Sequence, residues 1–106
     1  SEEETWEQVI SDLRQAYNLF NGEEFTYGKG VTWTKATAAH FLAKALLFRV
    51  SERNDKWNDK YKKYLGVCPE NDTEGILQDM HWAGDYIGYF QSYVLNSISR
   101  IANMKN

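Results

Sequence analysis

Between Ala36 and Val50 the chain is apolar on almost every side. Ala36, Ala38, Ala39, Phe41, Leu42, Ala43, Ala45, Leu46, Leu47, Phe48 and Val50 leave only a narrow polar strip of Thr37, His40 and Lys44. A helix with so wide an apolar surface must be covered on most of its circumference. The segment is therefore expected to be a central helix, with its alanines letting neighbouring helices approach closely. It is predicted to start near Thr32 or Thr34, both acceptable N-caps, and to end around Ser51 to Asp55. A single Pro and seven Gly in 106 residues supply too few turns for a β-sandwich. The predicted class is all-α, with about four helices.

The neighbours of that helix follow from the same periodicity. Trp6, Val9, Ile10, Leu13, Ala16, Tyr17 and Phe20 recur at steps of three and four, one buried face of a first helix. Thr5 and Gln8 have capping-box spacing. Asn21-Gly22 is its expected stop, because Gly tolerates the left-handed conformation beyond a helix C-terminus. Residues 22–33 have no helical period and are expected to be a loop. A short helix is predicted over Asp55–Leu65, with Trp57, Tyr61 and Tyr64 on one face. A last helix is predicted from Asp72-Thr73 to Ala102. Its expected core stripe is Leu77, Met80, Ala83, Ile87, Phe90, Val94, Ile98 and Ile101, and a break is possible at Gly84.

Composition excludes several functions. The net charge of −3 disfavours general binding of phosphate backbones. The run Lys56-Trp57-Asn58-Asp59-Lys60-Tyr61-Lys62-Lys63-Tyr64 is the one stretch suited to nucleic-acid stacking, and a solvated helix face explains it more simply. Cys68 is the sole cysteine, so no intrachain disulfide forms. No apolar run approaches the roughly 18 residues of a membrane span. The start at Ser1 without Met is expected to reflect a cut from a longer precursor.

The first half carries a family resemblance. Trp6-Glu7-Gln8-Val9-Ile10-Ser11-Asp12-Leu13, continuing to Ala16-Tyr17, looks like the first helix of the helical-repeat region of SusD/RagB-family outer-membrane lipoproteins. Val31-Thr32-Trp33-Thr34-Lys35-Ala36-Thr37-Ala38-Ala39, followed by Leu42-Ala43-Lys44-Ala45-Leu46-Leu47-Phe48-Arg49, looks like its second. That family shows Arg-x-Thr-Lys-x-Ala-Ala and then Leu-x-Ala-Lys-x-x-Leu; here the small-residue run after Thr34-Lys35 differs. Ala38, Leu42 and Ala45 also match the small-large-small spacing of tetratricopeptide second helices. The expected organisation is a single helical domain over 1–106, with a tetratricopeptide-like antiparallel pair over 5–54 and further helices over 55–106. The resemblance implies a fragment of a larger, lipid-anchored protein at the cell surface of Bacteroidota. It implies binding of polysaccharide or oligosaccharide without catalysis, and a SusC-like TonB-dependent transporter as partner. A free-standing protein-interaction domain with no sugar role is the other reading, and an enzyme the third.

Candidate chemistry is sparse. His40 and His81 belong to no local nucleophile signature, and no cofactor is expected. Asp79, His81 and Asp85 are close in sequence, but His81 and Asp85 alone make two ligands and no metal site. Glu23-Glu24 and Asp55/Asp59 are the nearest carboxylate pairs for hydrolytic chemistry, and loop charge and helix capping explain them more simply. Gly28-x-Gly30 lacks the rest of a nucleotide fingerprint. Gly84-x-x-x-Gly88 is a weak signal for close helix approach. The aromatic content of 15% supplies the sharpest candidate site: Trp82, Tyr86, Tyr89 and Tyr93 form a stripe about 100° around the last helix from its apolar stripe. Aromatic faces stack on sugar rings and hydroxyls bond to them. Packing on the helix at 55–65, or on a domain of the parent outside this sequence, is the simpler reading of the stripe, and a protein interface is the third.

Overall fold

A computed structural model of the chain describes residues 1–22, 33–61 and 70–104, with side chains outside 55–61 and 70–74. Three helices are present among the described residues: α1 (Glu2–Leu19), α2 (Lys35–Tyr61) and α3 (Glu70–Met104). The all-α expectation holds, with three described helices in place of about four. The difference arises at Ser51–Asp55, where α2 runs on to Tyr61 without interruption. The short helix expected over Asp55–Leu65 is thus in part the end of α2; its residues 62–65 lie outside the described residues. The predicted loop lies outside them over 23–32, as does Cys68.

α1 starts earlier than its predicted capping box. Ser1 is the N-cap: its hydroxyl accepts from the Glu4 amide, and the Glu4 carboxylate accepts from the Ser1 amine at 3.2 Å. Thr5 instead donates its hydroxyl to the Ser1 carbonyl at 3.0 Å. Beyond the end of α1, Gly22 has φ +84°, as the Asn-Gly stop predicts. At the start of α2, Thr34 and Thr37 cap reciprocally: each hydroxyl accepts the other residue's amide at 3.2 Å. Thr34 is buried, so water cannot replace the lost partner. Thr34→Ala is expected to cost about 0.5–2 kcal/mol, read as a lower denaturant midpoint.

α2 is the central element, but it is covered on one side only: Phe41, Leu47 and Phe48, expected to be buried, are exposed among the described residues. Ala36, Ala38, Ala39, Leu42, Ala43, Ala45 and Leu46 are all buried. α1 and α3 both pack along it. Trp6 and Glu7 near the start of α1 meet Glu52 and Arg49 late in α2, while Tyr17 near the end of α1 meets Lys35 at the start of α2. The α1–α2 pair is therefore antiparallel. Arg49 meets Asp79 and His40 meets Phe90, so α2 and α3 are antiparallel too. α1 and α3 run parallel, both packed on α2, and touch each other through long side chains.

The apolar core is small: Ile10, Leu42, Ala45, Leu46 and Ala83, with Trp6, Leu13, Tyr17, Trp82 and Tyr86 packed around it. The radius of gyration is 17.9 Å and the longest axis 64 Å, against about 13 Å for the radius of a compact chain of this size. The 35-residue α3, about 52 Å long at 1.5 Å per residue, makes up most of that length. It is continuous through Gly84, so the possible break is absent. A Cβ at Gly84 or Gly88 would meet nothing within 4 Å, so neither glycine serves close helix packing.

The expected core stripe of α3 is largely reversed. Ala83 is buried and Phe90 and Ile101 are half-buried, but Leu77, Met80, Ile87, Val94 and Ile98 are exposed. The side of α3 turned to the other helices instead carries Asp79, Trp82, Tyr86 and Tyr89. Long aromatic side chains span the gap to α1 that aliphatic ones are too short to bridge.

Candidate functional site

Two polar assemblies sit where the three helices meet. The deeper one is an ion cluster. Arg49 Nε and Nη2 donate to the two oxygens of Asp79 at 2.7 and 2.8 Å, a bidentate pair. Asp79 is 1% exposed and Arg49 4%. Arg53 Nη1 donates to the same carboxylate at 3.0 Å, and Arg49 Nη1 donates to Glu7 at 3.0 Å. One network therefore ties α1, α2 and α3. The Asp79 hydrogen bond, ahead of burial, which acts the other way, holds the Arg49 guanidinium above its usual pKa. Gly75 makes room for this arrangement: a Cβ there would lie 3.0 Å from Arg53 Nη1. Neither Arg49 nor Arg53 stands out as a site residue in the sequence. A pair of arginines four apart at the end of an apolar helix, with an isolated Asp in the facing helix, is the only available signal.

The second assembly is aromatic and cationic. The Arg14 guanidinium carbon lies 4.1 Å from the centre of the Trp82 ring, and Arg14 Nε donates to the Tyr86 hydroxyl at 3.2 Å. Tyr17 meets Tyr86 and Tyr89 edge-on, at ring separations of 5.0 and 5.4 Å. Lys35 Nζ sits 4.4 Å from the centre of the Tyr17 ring and 5.6 Å from that of Tyr89. Burial is the main cause that raises the Tyr17 pKa, with Tyr86 and Asp85 adding to it. A Cβ on Gly22 would come within 2.8 Å of the Tyr89 hydroxyl. The positive φ and this close approach both favour glycine there.

The predicted stripe is thus divided. Trp82, Tyr86 and Tyr89 join α1 through Arg14 and Tyr17, and Tyr93 is half-buried further along α3. The helix they meet is α1, not the helix expected at 55–65. His40 packs between Phe41 and Phe90. His81 and Asp85 approach to 3.7 Å on the exposed side of α3, while Asp79 is taken up by the two arginines. The carboxylates at 23, 24, 55 and 59, and the basic side chains of the run from Lys56 to Tyr64, lie outside the described residues.

Two hollows open beside these assemblies. The larger is walled by Glu3, Glu4 and Glu7, with Arg53 beside them, and its charge is unfavourable to anions. The smaller, of about 310 Å³, runs between α1 and Trp82 over Ile10, with Arg14, Gln15 and Asn18 on its wall.

Comparison with known proteins fixes the family. The model of the carboxypeptidase Taq (M32) metallopeptidase family matches residues 21–104. The chain belongs to this family. It is 64% identical over 91 residues to carboxypeptidase 1 of Bacillus subtilis, covering 83% of this chain and 17% of that protein. Thermostable carboxypeptidases 1 of Thermus thermophilus and Pyrococcus furiosus are 43% and 46% identical over 44 residues, which is 42% of this chain and 9% of each relative. The chain thus spans about one-sixth or less of the length of these relatives. No solved structure matches.

This membership overturns the SusD/RagB resemblance and what hung on it. The M32 match takes in α2 and α3 whole, whereas the SusD-like pattern rested on α1 and on α2 only as far as about residue 54. The non-catalytic glycan-binding scaffold, the free-standing interaction domain, the SusC-like transporter partner, the saccharide ligand and the outer-membrane lipoprotein setting all fall with it. The family is one of metallopeptidases, so the expectation of a non-enzyme is corrected. No helix among the described residues is long and apolar enough to cross a membrane.

A metallopeptidase family implies a metal, and the donors here can be tested against one. His40 is followed by Phe41 and His81 by Trp82, so the His-Glu-x-x-His pattern that places two imidazoles and a general base on one helix face is absent from the sequence. Among the described residues no three His, Cys, Asp or Glu side chains converge. His81 and Asp85 are a pair, and catalytic zinc takes three protein ligands. The described residues do not form a complete metal centre.

Proposed function

We propose that this chain is a helical portion of a metal-dependent carboxypeptidase, which hydrolyses the last peptide bond of substrates with a free C-terminal carboxylate. One observation carries the reading: the 64% identity to Bacillus carboxypeptidase 1 over 91 residues. Its own part in that reaction is to hold and orient substrate, since the metal donors of a complete centre are not among its described side chains. The Asp79 cluster fixes α3 against α1 and α2 and so sets the position of Trp82 and Tyr86. In the same reading, residues 1–106 act as one helical unit and α1–α2 is a tetratricopeptide-like pair. The antiparallel course of the two helices and the burial of Ala38, Leu42 and Ala45 support it.

A chimera tests the proposal. The matched segment of Bacillus carboxypeptidase 1 is replaced by this chain, and release of the C-terminal amino acid from a short peptide is followed with the metal present. Activity within about tenfold of the parent, or about 1.4 kcal/mol in the barrier, is expected. A chimera that melts cooperatively like the parent yet releases no amino acid would show that this segment does not serve the reaction.

A further inference from the structure

We propose that the outward apolar face of α3 is a docking surface, covered by an apolar helix from the remaining polypeptide of a carboxypeptidase of this family. The covering segment is assigned from family membership, independently of the reaction. Leu77, Met80, Ile87, Val94, Leu95 and Ile98 are 37–64% exposed. At 3.6 residues per turn they fall within an arc of about 100°, and at 1.5 Å per residue that arc runs about 32 Å along the helix. Single exposed apolar residues are ordinary, whereas a contiguous row of them marks a contact surface. Between 77 and 98 the arc carries no charged residue, and Gln91 is its one polar side chain. The described helices leave this face uncovered: α1 and α2 take the other side of α3, through Asp79, Ala83 and Tyr86.

What covers the face follows from the relatives. The matched residues are 17% of Bacillus carboxypeptidase 1, so about five-sixths of that protein lies outside them. The three helices enclose a small core in an elongated body, with a radius of gyration of 17.9 Å against about 13 Å for a compact chain of this size. Such a body is completed by more polypeptide on its open side. A segment of the same chain reaches the face at a high effective concentration, which a second copy in dilute solution lacks. Two glycines favour a helix as the covering element. Gly84 and Gly88 lie within the apolar arc or at its edge, and a Cβ on either would meet nothing within 4 Å. Glycine weakens a helix interior, and none of the three described helices uses these two. Without side chains they leave a depression between Met80 and Leu95 where a crossing helix approaches closely.

The test places single cysteines on α3 and follows their modification by iodoacetamide, with peptide mapping to separate them from Cys68. Leu95→Cys lies on the apolar face, and Ser92→Cys on the exposed polar side of the same helix. Both are measured in the full chain alone and in the chimera with Bacillus carboxypeptidase 1. In the chain alone the two are expected to react at similar rates, with a monomeric mass by light scattering. In the chimera the Leu95→Cys rate is expected to fall about 100-fold or more, the protection of a site reached only when the structure around it opens. Ser92→Cys is expected to keep its rate. If the exchanged segment does not fold, the same two cysteines at the aligned positions of intact Bacillus carboxypeptidase 1 give the reading. An unchanged Leu95→Cys rate would overturn the proposal, as would equal protection of both cysteines. Protection of Leu95→Cys in the chain alone, with a dimeric mass, would overturn it in favour of a second copy. None of these readouts uses peptidase activity. An inactive chimera with Leu95→Cys protected would therefore refute the reaction and leave the docking face standing.

Discussion

Asp79→Ala is expected to be the most damaging single substitution in the chain, costing about 3–5 kcal/mol. The carboxylate pairs with two guanidinium groups and lies 1% exposed between α2 and α3. Removing it leaves Arg49 buried and positively charged with only Glu7, which is 72% exposed and so well screened. Whole domains are stable by only about 5–15 kcal/mol, so this chain should lose most of its cooperative unfolding transition. Arginine cannot escape the cost by losing its proton. A guanidinium stays protonated in proteins whatever its neighbours; in the parent, where the Asp79 hydrogen bond raises the Arg49 pKa, the stability this contributes is fully present below the ordinary value and is lost only above it, beyond the working pH range. The attribution is checked with the double variant Arg49→Met/Asp79→Leu, which removes both charges and fills the space. It should be more stable than Asp79→Ala, because a buried pair often exchanges for apolar residues at little cost. Urea melts of the three proteins decide it: an Asp79→Ala midpoint close to the parent's would show that the cluster is not holding the helices together.

That cluster also explains what the sequence conceals. The central helix is legible because its information is local: Thr34 caps it, and Ala36, Ala38, Ala39, Leu42, Ala43, Ala45 and Leu46 face neighbours, although Phe41, Leu47 and Phe48 of the same apolar run do not. Its end is not legible. Ser51-Glu52-Arg53-Asn54-Asp55 looks like a solvated terminus, yet Glu52 accepts from the Trp6 indole and Arg53 reaches Asp79. Those partners lie tens of residues away, and no periodicity reports them. The inward side of α3 was hidden for a related reason. Counting apolar residues favours the row Met80, Ile87, Val94 and Ile98, all of them exposed. The row that meets α1 is polar-tipped, and it is chosen by reach and by partners such as Arg14 and Tyr17. The family followed the same division. α1 and early α2 offered a pattern of common helix-forming residues, which many helix pairs share. The decisive likeness runs through residues 21–104, including the half where pattern alone suggested nothing. Of the candidate site, Trp82 and Tyr86 were legible as aromatics on one helical stripe. Arg14, which orients them, was not, since a lone arginine on α1 is ordinary until its neighbours are known.

Leu46 and Leu47 give the second large effect, and a sharper test of the central helix than either residue alone. They are adjacent and chemically identical, and both belong to the apolar run that predicts burial on most sides. The structure separates them: Leu46 is 0% exposed within the core of Ile10, Leu42, Ala45 and Ala83, whereas Leu47 is 46% exposed. Leu46→Ala should therefore cost about 2–5 kcal/mol, the transfer of the removed methyl groups plus the cavity they leave. Ile10 and Leu42 are anchored on separate helices and cannot both move to close that space. Leu47→Ala forms no such cavity and gives up only part of a side chain's burial, so it should cost well under half as much, about 1 kcal/mol or less. Alanine is itself a good helix former, so neither change owes its effect to helix propensity. Thermal or urea melts of the two variants measure the ratio directly. Similar losses from both would mean that Leu47 is covered in solution and that the central helix has another neighbour besides α1 and α3. A small loss from Leu46→Ala would mean that the three-helix packing is itself wrong.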